Sequence, residues 1–179
     1  MFRRVLFRSL NTFIRRSDVV KIACIAQLVN VIAPIMTEPG GPAWRQTTFY
    51  PYLFASVYGR GEALQLSVKS PGYDSEVADN VPYLDIAGVH DEAGHTLTFF
   101  AVNRHGVETI DLELELQGFG KAKIADHQVM TNADLEAVNT VSAPLAVAPK
   151  KGSGAEVKDG KLTARLPPYS YQMLRLALT

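Results

Sequence analysis

The chain has 179 residues, 47% hydrophobic and 20% charged, enough for one folded domain or one domain plus a piece. Its 18 basic and 18 acidic residues balance, which excludes the global field that draws a protein to nucleic acid or an anionic membrane and leaves a neutral partner as the expectation. The single cysteine, Cys24, excludes an internal disulfide framework and a cysteine-built metal centre, so a reducing, cytoplasmic compartment is expected.

The first nine residues, Met1 to Ser9, are basic and apolar but lack the uninterrupted apolar core of a signal peptide. From Leu10 to Val29 the apolar residues Leu10, Phe13, Ile14, Ile22, Ile25, Ala26 and Val29 recur at helical spacing, which predicts a helix with one buried face, broken near Ser17-Asp18. Cys24 falls within it as a small buried apolar residue. The run Val29 to Met36 is unbroken apolar and predicts a strand covered on both faces, as in a parallel sheet, although Pro34 cannot donate to a ladder. Glu38-Pro39-Gly40-Gly41-Pro42 forces a loop. Thr47-Thr48 then stands where a helix cap belongs, before a second helix with Pro51 in its first turn and Gly59 at its end.

Beyond Gly61 the period changes from 3.6 to 2. Ile110, Leu112, Leu114 and Leu116 alternate with Asp111, Glu113, Glu115 and Gln117, which predicts a half-buried antiparallel strand. Similar alternation runs through Leu64 to Val68, Leu97 to Ala101, Leu162 to Leu166 and Leu174 to Leu178, with turns at Asp91 to Gly94 and Lys158 to Gly160. The fold class is therefore mainly β, an antiparallel sandwich over 62–179. A lone helix-strand-helix piece cannot cover both faces of a parallel strand, so the first part is expected to belong to something larger.

The stretch Ile22 to Ile35, followed by Ala43-Trp44-Arg45-Gln46-Thr47-Thr48-Phe49-Tyr50-Pro51, resembles the family 51 α-L-arabinofuranosidases. The resemblance continues through Ser56 to Gly61, Val81 to Asp85 and Phe99 to Arg104, and covers residues 10–179, leaving 1–9 unmatched. It implies that 10–61 are the C-terminal end of a truncated (β/α)8 barrel, with 29–36 its eighth strand, and that 62–179 are the C-terminal sandwich. It also implies a sandwich strand drawn from the extreme N-terminus, so that an edge would stand open here.

The resemblance implies a retaining glycosidase that releases terminal non-reducing α-L-arabinofuranosyl groups from arabinoxylan, arabinan or arabino-oligosaccharides, without cofactor and in a homo-oligomer. Retention needs two carboxyl groups about 5 to 5.5 Å apart. By resemblance both are glutamates upstream of residue 1, so this chain is expected to hold no catalytic residue and to be silent alone. Glu38 is the one tempting carboxylate. Gln46 matches a glutamine that hydrogen-bonds the arabinose, and an amide suits a neutral polyol because it donates and accepts. Trp44 could stack on a sugar face or anchor packing.

Other constellations lead nowhere. His90, His95, His105 and His127 lack ligand spacing and read as surface residues, with no metal site. Gly152-Ser153-Gly154 reads as a linker rather than a phosphate loop, and Phe49, Tyr50, Tyr52 and Tyr58 as core packing. The alternative function is a non-catalytic carbohydrate-binding or structural sandwich, which would need a flat exposed aromatic face. Tyr169 and Tyr171 are the only same-face pair that could start one.

Overall fold

In the computed structural model, which describes residues 2–179, helix α1 (Phe2–Arg15) comes first, followed by an irregular stretch over 16–34. A small hairpin, β1 (Ile35–Thr37) and β2 (Ala43–Arg45), leads into helix α2 (Phe49–Tyr58). Then come β3 (Glu62–Leu64), the hairpin β4 (Gly72–Ser75) and β5 (Ala78–Pro82), and the long strands β6 (Leu84–Asp91) and β7 (Thr96–Asn103). The chain closes with β8 (Ile110–Glu115), β9 (Ala122–Met130), β10 (Lys150–Lys151), β11 (Glu156–Lys158), β12 (Lys161–Leu166) and β13 (Tyr171–Leu178).

Two antiparallel sheets face each other. One has six strands in the order β10-β9-β13-β7-β6-β3, and the other has three in the order β11-β12-β8. Alternate residues point between them: Leu97, Phe99 and Ala101 of β7 and Leu174 and Leu176 of β13 meet Leu112 of β8 and Leu162, Ala164 and Leu166 of β12. The opposite face of the larger sheet is also covered. Phe100, Val102, Tyr171 and Met173 pack under Tyr50 and Phe54 of α2, Ile14 of α1 and Val147. Helices therefore lie on a sheet that lies on a sheet, and β7 is buried along its whole length. The antiparallel sandwich expected from the alternation is present.

Buried polar groups tie the layers together. Asp85 on β6 accepts from Arg15 at 2.6 Å and from the amide of Asn11 at 3.3 Å, which fastens α1 to the sheet. Asn103 ends β7 and is 1% exposed. Its amide donates to the carbonyls of Leu166 at 2.8 Å, Glu108 at 2.9 Å and Pro167 at 3.0 Å, and its side-chain oxygen accepts from the His105 N–H at 2.8 Å. With Ser170, whose hydroxyl donates to the Pro167 carbonyl at 2.7 Å, this side chain holds the crossing from β12 to β13.

The first sixty residues depart from the sequence reading. The helix expected over 10–29 ends at Arg15, and Ile22, placed on its buried face, is 84% exposed. Cys24, expected to be buried, is exposed. The strand expected over 29–36 is reduced to Ile35–Thr37, and it pairs antiparallel with β2 instead of lying in a parallel sheet. Gln27, Asn30 and Val31 carry positive φ angles of 63°, 62° and 52°. The physical reason is the absence of a cover. An isolated helix draws most of its stability from packing its apolar face, and a parallel strand needs neighbours on both edges; these residues offer the pattern and nothing here receives it. The second helix forms where expected, with Pro51 in its first turn and Gly59 at its end, although Thr48 makes no side-chain cap.

β8 pairs with β12 on one side only. Beside its other edge a cleft of about 600 Å³ separates it from residues 64–69, with Leu84, Ile86 and Phe99 of the core on its floor. Asp111, Glu113 and Glu115 point outward from β8. Lys161 reaches Glu113 at 2.6 Å and Arg165 reaches Asp111 at 3.3 Å, both from β12.

Candidate functional site

The hairpin β1–β2 gathers the polar groups that the sequence singles out. Ile35 lies opposite Arg45 and Thr37 opposite Ala43, and the Gln46 N–H extends the pairing by donating to the Pro34 carbonyl at 2.8 Å. Side chains alternate along a strand, so Trp44 and Gln46 share one face and Arg45 takes the other. The Arg45 guanidinium lies 4.9 Å over the ring of Phe49. On the shared face two donors converge on one oxygen. Trp44 Nε1 donates to the backbone carbonyl of Asn139 at 3.1 Å, and Gln46 Nε2 points at the same oxygen at 3.5 Å. Both side chains are half-buried, so each retains accessible surface.

Asn139 belongs to the strandless loop 131–149 between β9 and β10 and is 2% exposed. Its amide donates to the Arg45 carbonyl at 2.8 Å and the Val147 carbonyl at 3.1 Å, and its side-chain oxygen accepts from the Val147 N–H at 2.7 Å. The sequence reading passed over Asn139. The available signal was the loop itself, since a stretch this long without regular structure is uncommon inside a compact domain.

Glu38 does not join this group. It is exposed in the hairpin turn, where its N–H donates to the Pro42 carbonyl and its carbonyl accepts from the Gly41 N–H. Four strand positions of about 3.4 Å each separate it from the end of the hairpin where Gln46 sits. The arrangement can hold a neutral hydroxylated ligand by an amide and an indole. It brings no acid-base pair to that ligand.

Residues 8–170 match the family described as the alpha-L-arabinofuranosidase C-terminal domain. The chain belongs to that family. It is 47% identical over 165 residues to an intracellular exo-α-(1→5)-L-arabinofuranosidase of Halalkalibacterium halodurans and 48% identical over 165 residues to one of Bacillus subtilis. Each alignment covers 92% of this chain and 33% of the relative. A solved family 51 α-L-arabinofuranosidase from Bifidobacterium longum superposes with a TM-score of 0.88 at 36% identity, covering 96% of this chain and 32% of that one. The arabinofuranosidase C-terminal chain thus spans about a third of the length of these relatives.

The remaining candidates sort by burial. Three of the four histidines are exposed or half-buried, but His127 is 4% exposed and corrects the surface reading. Pairing of β9 with β13 slips by one residue between Asp126 and Ile124, so that Ile124 and His127 both turn inward. Gln172 meets the imidazole Nε2 at 2.8 Å and reaches the Arg165 carbonyl across the sandwich at 2.8 Å. Gly152, expected in a linker, lies against that imidazole, and an added Cβ would strike the ring. Tyr171 is 2% exposed and stacks on Phe54 at 6.4 Å, so it and Tyr169 form no exposed platform. Burial raises the Tyr171 pKa far above the ordinary phenol value. No helix among the described residues is long and apolar enough to cross a membrane.

Proposed function

We propose that the chain is the C-terminal part of a retaining α-L-arabinofuranosidase that releases terminal non-reducing arabinofuranosyl groups from arabinoxylan, arabinan or their oligosaccharides. Residues 10–61 would complete a (β/α)8 barrel and 62–179 would buttress it. The observation that carries the reading is the placement of Gln46 and Trp44 on one face, both directed at the Asn139 carbonyl and both still accessible. Gln46 would hydrogen-bond the arabinose and Trp44 would lie against the sugar.

The uncovered apolar stretch supports the barrel half of the proposal. Ile22, Leu28 and Val31 are 84%, 81% and 80% exposed, an arrangement that a soluble domain covers with other chain. The cleft beside β8 fits the additional sandwich strand that the resemblance implies. Both catalytic carboxylates would come from outside these residues, since one exposed Glu38 cannot serve as nucleophile and as acid-base group together. The relatives' naming as intracellular supports a cytoplasmic enzyme, and the balanced charge supports a neutral saccharide over nucleic acid or membrane. A homo-oligomer is the expected assembly.

The test is hydrolysis of p-nitrophenyl α-L-arabinofuranoside by the 179-residue chain, beside the same chain joined to the upstream two thirds of the Halalkalibacterium relative. Turnover only in the joined enzyme is the expected result. Turnover by the 179 residues alone would overturn the assignment of the carboxylates.

A further inference from the structure

Asn139 is far from Gln46 in sequence, belongs to the loop 131–149, and takes both candidate sugar contacts on its backbone carbonyl. We infer that Asn139 is a positioning residue for the sugar site: the sandwich loop, through this asparagine, sets the orientation of Trp44 and Gln46. The inference rests on the proposed role of Gln46 and adds to it the element that holds it.

Three observations carry it. First, the side chain of Asn139 is fully used within the protein. It has two amide hydrogens and spends them on the carbonyls of Arg45 and Val147, while its oxygen takes the Val147 N–H. The bond to Arg45 grips the backbone between Trp44 and Gln46. Second, this arrangement leaves the Asn139 backbone carbonyl facing the hairpin, where it receives the indole N–H at 3.1 Å and stands 3.5 Å from the Gln46 amide nitrogen. Drawing the amide nitrogen toward this carbonyl biases the Gln46 side chain to turn its amide oxygen away from it. Third, Asn139 is 2% exposed and its two bonds to Val147 are buried, so water replaces those bonds poorly in a variant. A site geometry off by about 1 Å can lower a rate on the order of a hundredfold, which makes such an anchor consequential.

Trp44 is the only tryptophan of the chain, so one indole N–H resonance and one emission spectrum report on the contact directly. In the 179-residue chain the indole N–H is expected to exchange with solvent at least tenfold more slowly than a free indole. Asn139→Ala should remove that protection and shift the Trp44 emission to the red, while the amides of β7 and β13 stay protected. An unprotected indole in the unsubstituted chain overturns the inference, even if the variant fails to fold. So does an indole that Asn139→Ala leaves unchanged.

In the joined enzyme, Asn139→Ala should lower kcat/KM about tenfold to a hundredfold. Adding it to Gln46→Ala should cost less than the two separate losses combined, because both remove the Gln46 contact. Additive losses would overturn positioning through Gln46. If Gln46→Ala itself leaves kcat/KM unchanged, the sugar role of Gln46 fails, and the indole measurement still decides separately whether Asn139 holds the hairpin.

Discussion

The tie at Asn103 makes the sharpest prediction about stability. Asn103→Ala removes an amide that serves the carbonyls of Leu166, Glu108 and Pro167 and an oxygen that serves the His105 N–H. The Leu166 carbonyl lies in a buried bond, and stranding a buried polar group costs about 1–3 kcal/mol. The other three groups lie in part-buried bonds that water can partly replace, at roughly 0.5–1 kcal/mol each. The sum is about 2.5–6 kcal/mol, which for a chain of this size lowers Tm by roughly 5–24 °C. Urea unfolding followed by far-UV circular dichroism measures it, with the midpoint falling and the slope unchanged. Asn103→Asp keeps the shape but aims a carboxylate at the three carbonyls. It should be the worse variant at neutral pH and improve in acid as the carboxylate takes up a proton. A loss below about 1 kcal/mol for Asn103→Ala would mean that the crossing from β12 to β13 is held by something else, and the reasoning would fail.

Other expectations follow from single buried positions. Leu174 is 0% exposed between the sheets, so Leu174→Ala should cost about 2–5 kcal/mol by calorimetry. Gly61 has φ of 114° and its missing Cβ would meet the His90 carbonyl, so Gly61→Ala should lower the unfolding midpoint by displacing β3 from β6. Tyr171 has a folded-state pKa raised by burial, so its contribution is complete below the ordinary phenol pKa of about 10 and is lost as pH climbs above it. Lys161, raised by its bond to Glu113, acts in the same range and with the same sign. Chemical unfolding between about pH 10.5 and 11.5 should therefore show a stability that falls more gently with pH in Tyr171→Phe than in the unsubstituted chain, by up to about 1.4 kcal/mol per pH unit, and equal slopes would contradict the burial argument.

The sandwich was legible in the sequence because its strands alternate and its turns carry explicit chemistry. Ile110 to Leu116 gave β8, and Asp159-Gly160, both at positive φ, closes β11 onto β12 as a two-residue turn should. β9 escaped because the slip at Ala125 breaks the alternation and hides His127 among inward residues. Residues 10–36 were misread for a different reason. Their apolar residues recur at helical spacing, but in this structure no layer covers them, so the periodicity is not realised as a helix or a two-faced strand. Trp44 and Gln46 were singled out through resemblance. Asn139 could not be found that way from spacing alone, since its role depends on a contact spanning 93 to 95 positions of chain.

The outward acids of β8 also bear on how this domain behaves in a crowded solution. Two copies meeting edge to edge along β8 would set Asp111, Glu113 and Glu115 of one against the same row of the other, and like charges facing across a ladder repel. Lys161 and Arg165 belong to the neighbouring strand and soften that row without removing it. The open edge thus carries its own gatekeeper. Replacing those acids, as in Glu113→Gln with Glu115→Gln, is where edge-to-edge association of this chain is expected to begin.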